Sequence, residues 1–194
     1  MPRKSAATDK PLKEHILDVA DRLFYTCGLH AVGVDRVIAE AKIAKTSLYR
    51  YFPSKDALIQ AYLERRNQRF WQLLEASLAD CEPESLARLV GMIDFIVYLL
   101  ARPDCQGCPF LLTASEFADA EHLSRQVILA HKRQVCDRIT ILATAANLNQ
   151  PQTLATQLTM LIDGGFSQVR YLDKVQVSQT FKGAATALIT QAAA

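Results

Sequence analysis

Glycine and proline are scarce in this chain. Its 194 residues include seven of each, and β-branched residues seldom alternate with polar ones. That leaves little material for hairpins or a turn-rich sandwich. No apolar run is long enough to cross a bilayer: the longest, MIDFIVYLLA at 92–101, holds Asp94 and is too short. A membrane partner is not expected. The opening MPRKSAATDK is basic and polar with no apolar core, unlike a secretory signal. The five cysteines are irregularly spaced, which suits a reducing cytosol better than a disulfide framework. A phosphate-cradling loop and an HExxH pair are both missing, so the chain reads as a binding protein, not an enzyme, and no cofactor is expected.

Half of the residues are hydrophobic, and good helix formers dominate. The net charge of +2 is unevenly placed. Residues 1–55 carry ten Lys/Arg and six Asp/Glu, hence +4; the remainder carries twelve and fourteen, hence −2. A basic head on a mildly acidic body points to a polyanionic partner for the head.

Apolar spacing predicts the helices. Leu12, Ile16, Val19, Ala20, Leu23, Phe24 and Cys27 make one face of a first helix that Gly28 ends. Val34, Val37, Ile38 and Ala41 define a short second helix. A third runs from about Ala44 to Phe52 and stops at Pro53. Ser54 is expected to cap a long fourth helix, with Leu58, Tyr62, Leu63, Phe70, Leu74 and Leu78 inward. Pro83 opens a fifth, to Ala101. RPDCQGCPF is expected as a loop. One long helix or a pair follows to Ala146, then helices at about 152–171 and 175–191 with a frayed tail. The fold class is all-α. The domain reading is a helix-turn-helix head at 1–55 and a helical effector-binding and dimerisation domain at 56–194.

The second and third helices meet through a turn of a few residues, as in a helix-turn-helix, whose second helix enters the major groove. In KIAKTSLYRYFPSK (42–55), Leu48 and Phe52 are four apart and point inward. Lys45 and Tyr49, Thr46 and Arg50, and Ser47 and Tyr51 fall on three outer rows. Their side chains suit phosphate oxygens and base edges. The bland alternative is a three-helix cap whose outer face is merely solvated.

The segment ILDVADRLFYTCGLHAVGVDRVIAEAKIAKTSLYRYFPSKDALIQAYL, above all its exit SLYRYFPSKDAL, resembles the N-terminal domain of the TetR family of bacterial transcriptional regulators. The resemblance implies that Lys45, Thr46, Ser47, Tyr49, Arg50 and Tyr51 lie in or beside the groove of a double-stranded DNA operator. Tyr49, Tyr51 and Lys55 would hold phosphates; Lys45 and Arg50, helped by Thr46, would read bases. Arg36 and the arm of Arg3, Lys4, Lys10 and Lys13 would add phosphate or minor-groove contacts. The chain departs from the family where Lys42 replaces a turn glycine, Ala44 a capping serine and Val32 a common threonine. A left-handed Lys42 implies strain of order 1 kcal/mol.

The resemblance also implies a homodimer through the last two helices and a small-molecule effector. Leu154, Leu158, Leu161, Ile162 and Val169 form one apolar face, Ala184, Ala185, Ala187, Leu188 and Ile189 another, and Gly164-Gly165 would permit close helix approach. Phe70, Trp71, Phe95, Tyr98, Cys108, Phe110, Phe117, Met160 and Phe166 are the candidate pocket walls. Glu116, His131, Gln134 and Asp163 are its candidate polar groups. Aromatics at helical spacing are also ordinary packing. The function expected is a ligand-responsive repressor. Two alternatives remain: a redox- or metal-responsive regulator using the Cys105/Cys108 pair, with Cys136, His131 and His122 as further metal ligands, and a relative that binds ligand but has lost DNA.

Overall fold

A computed structural model of the chain describes residues 12–82, 85–117 and 122–194. Within these there are nine helices: α1 (Leu12–Cys27), α2 (Val34–Ala41), α3 (Lys45–Tyr51), α4 (Lys55–Ser77), α5 (Leu86–Ala101), α6 (Pro109–Glu116), α7 (Ser124–Ala145), α8 (Pro151–Gln168) and α9 (Lys174–Ala193). The architecture is all-α, as composition and periodicity require. None of these helices is long and apolar enough to cross a membrane. The basic arm residues Arg3, Lys4 and Lys10, and Pro83, lie outside the described residues.

The chain divides into two compact units, 1–62 and 63–194. In the first, α1 packs on α2 and α3. Ile16, Ala20, Leu23, Val32, Val37, Leu48, Phe52, Leu58 and Ile59 are almost fully buried. Phe24 and Tyr62 meet edge to face at 5.7 Å. Gly28 ends α1 at φ 89°, its N–H donating to the Phe24 carbonyl at 3.0 Å. Cys27, expected on the buried face, is exposed, because it sits in the last turn past the edge of the core. Ser54 caps α4 as predicted, its Oγ accepting from the Ala57 N–H at 3.0 Å.

In the second unit, α5 packs on α9 and α7, α7 on α8 and α6, and α8 on α9. The core includes Leu74, Leu78, Leu89, Met92, Ile96, Leu100, Ile139, Leu142, Leu158 and Phe181. The expected loop at 102–110 is shorter than read: Pro109 is tolerated in the first turn of a helix, where its missing N–H has no partner to lose, so α6 starts there. The tail is helical to Ala193, and the Asn149 N–H donates to the Ala192 carbonyl at 2.7 Å. That bond ties down a terminus that composition alone marked as frayed.

Candidate nucleic-acid interface and effector region

The turn between α2 and α3 is closed by backbone alone. Lys42 is left-handed (φ 54°, ψ 47°). Its N–H donates to Ala39 O and that of Ile43 to Ile38 O, both at 3.2 Å, which is the Schellman pattern usually built on glycine. Lysine here stores strain of about 1 kcal/mol, the figure for a non-glycine residue in this region. Ala44, extended at the start of α3, offers no side-chain cap; its carbonyl accepts from Ser47 N–H at 2.9 Å. The turn therefore keeps its shape despite both departures from the family pattern.

On α3, Leu48 is fully buried and Phe52, just past it, nearly so, so the inward row is as the spacing predicts. Lys45, Thr46, Tyr49 and Arg50 are exposed, and Ser47 and Tyr51 are half-buried. Arg50 donates to Tyr51 Oη at 2.9 Å, and its guanidinium lies 4.7 Å from that ring's centre. The pair presents one stiffened cationic tip. Lys45 Nζ reaches Asp35 of α2 at 3.2 Å. Lys55 is half-buried in the first turn of α4.

Arg36 is exposed but engaged. Its Nε meets Glu40 at 3.2 Å, its Nη2 meets Cys27 Sγ at 3.6 Å, and Glu40 also takes Arg22 at 2.5 Å. The Arg22 hydrogen bond, with Arg36 behind it, lowers the Glu40 carboxyl from its usual value, and the Glu40 hydrogen bond raises the Arg36 guanidinium. Lys13 sits 5.9 Å from the Phe52 ring centre.

In the second unit, six of the residues predicted for an effector pocket gather around Asn67, a residue the sequence reading passed over. His131 Nδ1 is 2.7 Å from Asn67 Oδ1, and the Trp71 Nε1–H donates to that same oxygen at 3.0 Å and to Gln134 Oε1 at 3.1 Å. Asn67 Nδ2 donates to Gln134 Oε1 at 3.3 Å. Oxygen only accepts, so His131 carries its proton on Nδ1. Its ring stacks on Phe110 at 3.8 Å and meets Phe70 edge-on at 5.2 Å; Phe70 in turn meets Phe95 at 5.6 Å. Burial, reinforced by the neighbouring Lys132 charge, pushes the His131 pKa down to about 3. The imidazole is neutral at pH 7. Asn67 had one available signal: it lies one turn before Trp71 on α4, where a polar residue can meet the indole N–H.

Asp163 and Cys108 meet through a second missed residue. Lys132 forms a part-buried ion pair with Asp163, and its Nζ lies 3.9 Å from Cys108 Sγ. Burial raises the Cys108 thiol above its usual pKa despite that ammonium. Cys105 is buried too, in the apolar core. Two buried thiols, one with its ionisation opposed, give a redox-sensing role no support from geometry. Among the described residues, no group of three or more His, Cys, Asp or Glu gathers that could hold a metal.

Glu116 and Phe117 are half-buried at the end of α6, Phe117 stacked on His122 at 4.0 Å, and Phe166 is half-buried on α8. Tyr98 and Met160 are corrections. They are 58% and 71% exposed, because their positions on α5 and α8 turn away from the core that Phe95 and Ile162 face. A pocket of about 150 Å³ lies elsewhere, lined by Asn149, Thr153, Leu154, Gln157, Leu188 and Gln191 among others, with none of the predicted effector residues.

The apolar faces read for dimerisation are also corrected. Leu154, Leu158, Ile162, Val169, Ala185 and Ile189 are already buried within the chain's own core. The two adjacent glycines divide: a Cβ on Gly165 would sit 3.2 Å from Leu100, whereas Gly164 faces open space, as does Gly183 on α9.

The family model described as "Bacterial regulatory proteins, tetR family" matches residues 16–62. Relatives include an uncharacterized HTH-type transcriptional regulator of Mycobacterium tuberculosis, 33% identical over 76 residues (39% of this chain, 38% of the relative). The HTH-type transcriptional repressor NemR of Escherichia coli is 31% identical over 84 residues (41% of this chain, 42% of the relative). The chain thus spans about two fifths of the length of these curated relatives. Similarity of fold reaches much further. The TetR-family transcriptional regulator SCO4454 of Streptomyces coelicolor superposes with a TM-score of 0.87 at 28% identity, covering 94% of this chain and 96% of that one. The reduced form of E. coli NemR gives 0.79 at 22%, over 92% and 97%, and so shares the fold. With its helix-turn-helix segment matched in sequence and its whole helical layout matched in space, the chain belongs to the TetR family of bacterial transcriptional regulators.

Proposed function

We propose that the protein is a sequence-specific transcriptional regulator: a cytoplasmic homodimeric repressor released from a double-stranded operator by a small molecule. The observation that carries this reading is the outer surface of α3. Lys45, Thr46, Tyr49 and Arg50 stand exposed on a helix whose other side is fully committed to the core. The head reads DNA, with residues 1–55 as its recognition part and the first turns of α4 completing its core. Lys45 and Arg50 read bases, Thr46 and Ser47 assist, and Tyr49, Tyr51 and Lys55 hold phosphates. Arg36 is a secondary phosphate contact, its charge shared with Glu40. A name borne by one relative, transcriptional repressor, fits the sign of regulation proposed.

Two heads are needed to read two half-sites. The outward faces of α8 and α9 supply the dimer contact. Gly164, Gly183 and Ala187 let helices approach closely, and the exposed Met160 finds its apolar partner on the second copy. The effector enters among Phe70, Trp71, Phe95, Phe110 and His131, with Asn67, Gln134, Lys132, Asp163 and Cys108 as its polar neighbours and Glu116, Phe117 and Phe166 at the margin. These rings pack on one another, so a ligand entering among them must part them. Helix α4 carries Asn67 and Phe70 and begins with Lys55, so a ligand favouring one setting of α4 acts on both functions.

The test is a fluorescence-anisotropy titration of the full chain against the duplex upstream of its own coding sequence, with excess unrelated duplex present. Saturable binding that resists the competitor is expected, and Arg50→Ala should weaken it. Binding that the competitor abolishes would contradict the proposal.

A further inference from the structure

Asp35 is not among the residues assigned to DNA contact, yet it stands on the surface that carries them. Its carboxylate lies in the first turn of α2 and meets the Lys45 ammonium, the first residue of α3, at 3.2 Å. Both side chains are open to solvent, 79% for Asp35 and 63% for Lys45. An ion pair so exposed contributes little to folding stability. Its charge also runs against the rest of the surface, since a carboxylate facing phosphates is repelled unless something on the DNA hydrogen-bonds to it.

The pair has a second property. It sets a hydrogen-bond acceptor and a donor side by side at a fixed spacing. The ammonium spends one N–H on Asp35 and keeps two. Among the described residues, Asp35 makes no other side-chain hydrogen bond, so its second oxygen is unspent. The major-groove edge of a G·C pair offers the complement in the same arrangement: guanine presents the acceptors O6 and N7, and the cytosine opposite presents the N4 amino donor. An A·T pair fits less well, because guanine gives the ammonium two adjacent acceptors, whereas thymine sets a methyl group next to its single one.

We infer that Asp35 and Lys45 together read one G·C pair in each half-site, Lys45 donating to guanine O6/N7 and Asp35 accepting from cytosine N4. This rests on the reading of α3 as the groove-facing helix and adds to it a specificity-determining residue on α2. It also explains why a helix with no side-chain cap begins with lysine. The Asp35 carboxylate holds that ammonium against the positive end of α3, where a lone cation is disfavoured.

The experiment is selection from a duplex library with a randomised core, using the full-length wild type, Asp35→Ala, Asp35→Asn and Lys45→Ala. Anisotropy then measures the selected site and its single-pair replacements, with thermal melts of each variant as the folding control. In the wild type, replacing the G·C pair by A·T should cost about tenfold in affinity. Asp35→Ala should erase most of that factor at this pair alone, leave the other positions sharp, and raise affinity for unrelated duplex because a negative charge is gone. Lys45→Ala should relax the same pair but lower affinity for all duplexes. Asp35→Asn, nearly isosteric, should relax that pair to a smaller degree. If Asp35→Ala leaves every base preference unchanged, or relaxes a pair other than the one Lys45→Ala relaxes, the inference is overturned while the operator reading stands. If the wild type enriches no sequence, the operator reading falls first.

Discussion

The helix-turn-helix head and the aromatic cluster of the body use similar residues to opposite ends. In the head, aromatics and cations stand on the surface: Tyr49 is 40% exposed, and Arg50, Lys45 and Arg36 make their intramolecular bonds in contact with water. In the body, the buried His131 bonds to half-buried Asn67, which with the exposed Gln134 also holds the Trp71 indole. Exposed pairs are cheap to break and can be traded for bonds to a partner, whereas a buried donor such as the His131 ring N–H is costly to leave without its acceptor. The head is therefore prepared to exchange contacts. The aromatic cluster of the body must be parted before it can, which is what the proposed ligand-operated switch requires.

The largest break in this contrast is expected from Leu48→Ala. It empties a fully buried position in a small core, at a cost of about 2–5 kcal/mol, and thermal unfolding of the head should move down by many degrees while the body's transition stays put. Next is Asn67→Leu. It leaves the buried His131 Nδ1–H without its acceptor, while the indole keeps Gln134, and should destabilise the body by about 1–3 kcal/mol in a denaturant melt. A surface substitution such as Arg50→Ala should leave both melts within about 0.5 kcal/mol of wild type.

The same contrast has a pH signature. The folded pKa of His131, about 3, lies below its ordinary 6.5, so the unfolded chain binds the extra proton first. Its contribution to stability is complete above about pH 6.5 and is lost progressively as pH falls towards 3. His131→Phe should flatten that part of the body's stability profile. A profile unchanged by the substitution would show that the imidazole is not held neutral by burial.

Smaller effects sharpen the picture of the head. Lys42→Gly relieves a left-handed lysine and should stabilise the head by up to about 1 kcal/mol, read as a rise in its melting temperature. Lys55→Ala should reduce the salt slope of operator binding by about one unit with sequence preference intact, as loss of one phosphate contact requires.

The head was more legible in the sequence than the body, for a physical reason. A short amphipathic helix announces its buried row by spacing alone, so Leu48 and Phe52 were placed inward and Ser54 at the cap. The left-handed Lys42 was signalled only by the resemblance, whose pattern has a glycine at that place in the turn. The ion pair of Lys45 with Asp35 was not signalled, because it joins side chains of two helices. In the body, spacing marked Phe70 as inward, and the resemblance offered Phe95, Phe110 and His131 as pocket residues, without saying that Asn67 joins His131 to Trp71. Met160 and Tyr98 were candidate pocket walls for their hydrophobicity, which does not say which side of a helix the core lies on. The same ambiguity turned the inner faces of α8 and α9 into a supposed dimer surface. Only packing shows that Leu158 and Ala185 are spent within the chain and that Gly164 and Gly183 are not.

The central claim is that the exposed face of α3 reads DNA sequence. Its most direct test is the affinity of wild type and Arg50→Ala for the same operator duplex and for a scrambled duplex of equal length and composition, at one fixed salt concentration. The account predicts a wild-type preference for the operator that falls by about tenfold or more in Arg50→Ala, with the melting curve unchanged. Equal affinity of the wild type for both duplexes, or a preference untouched by the substitution, would contradict it.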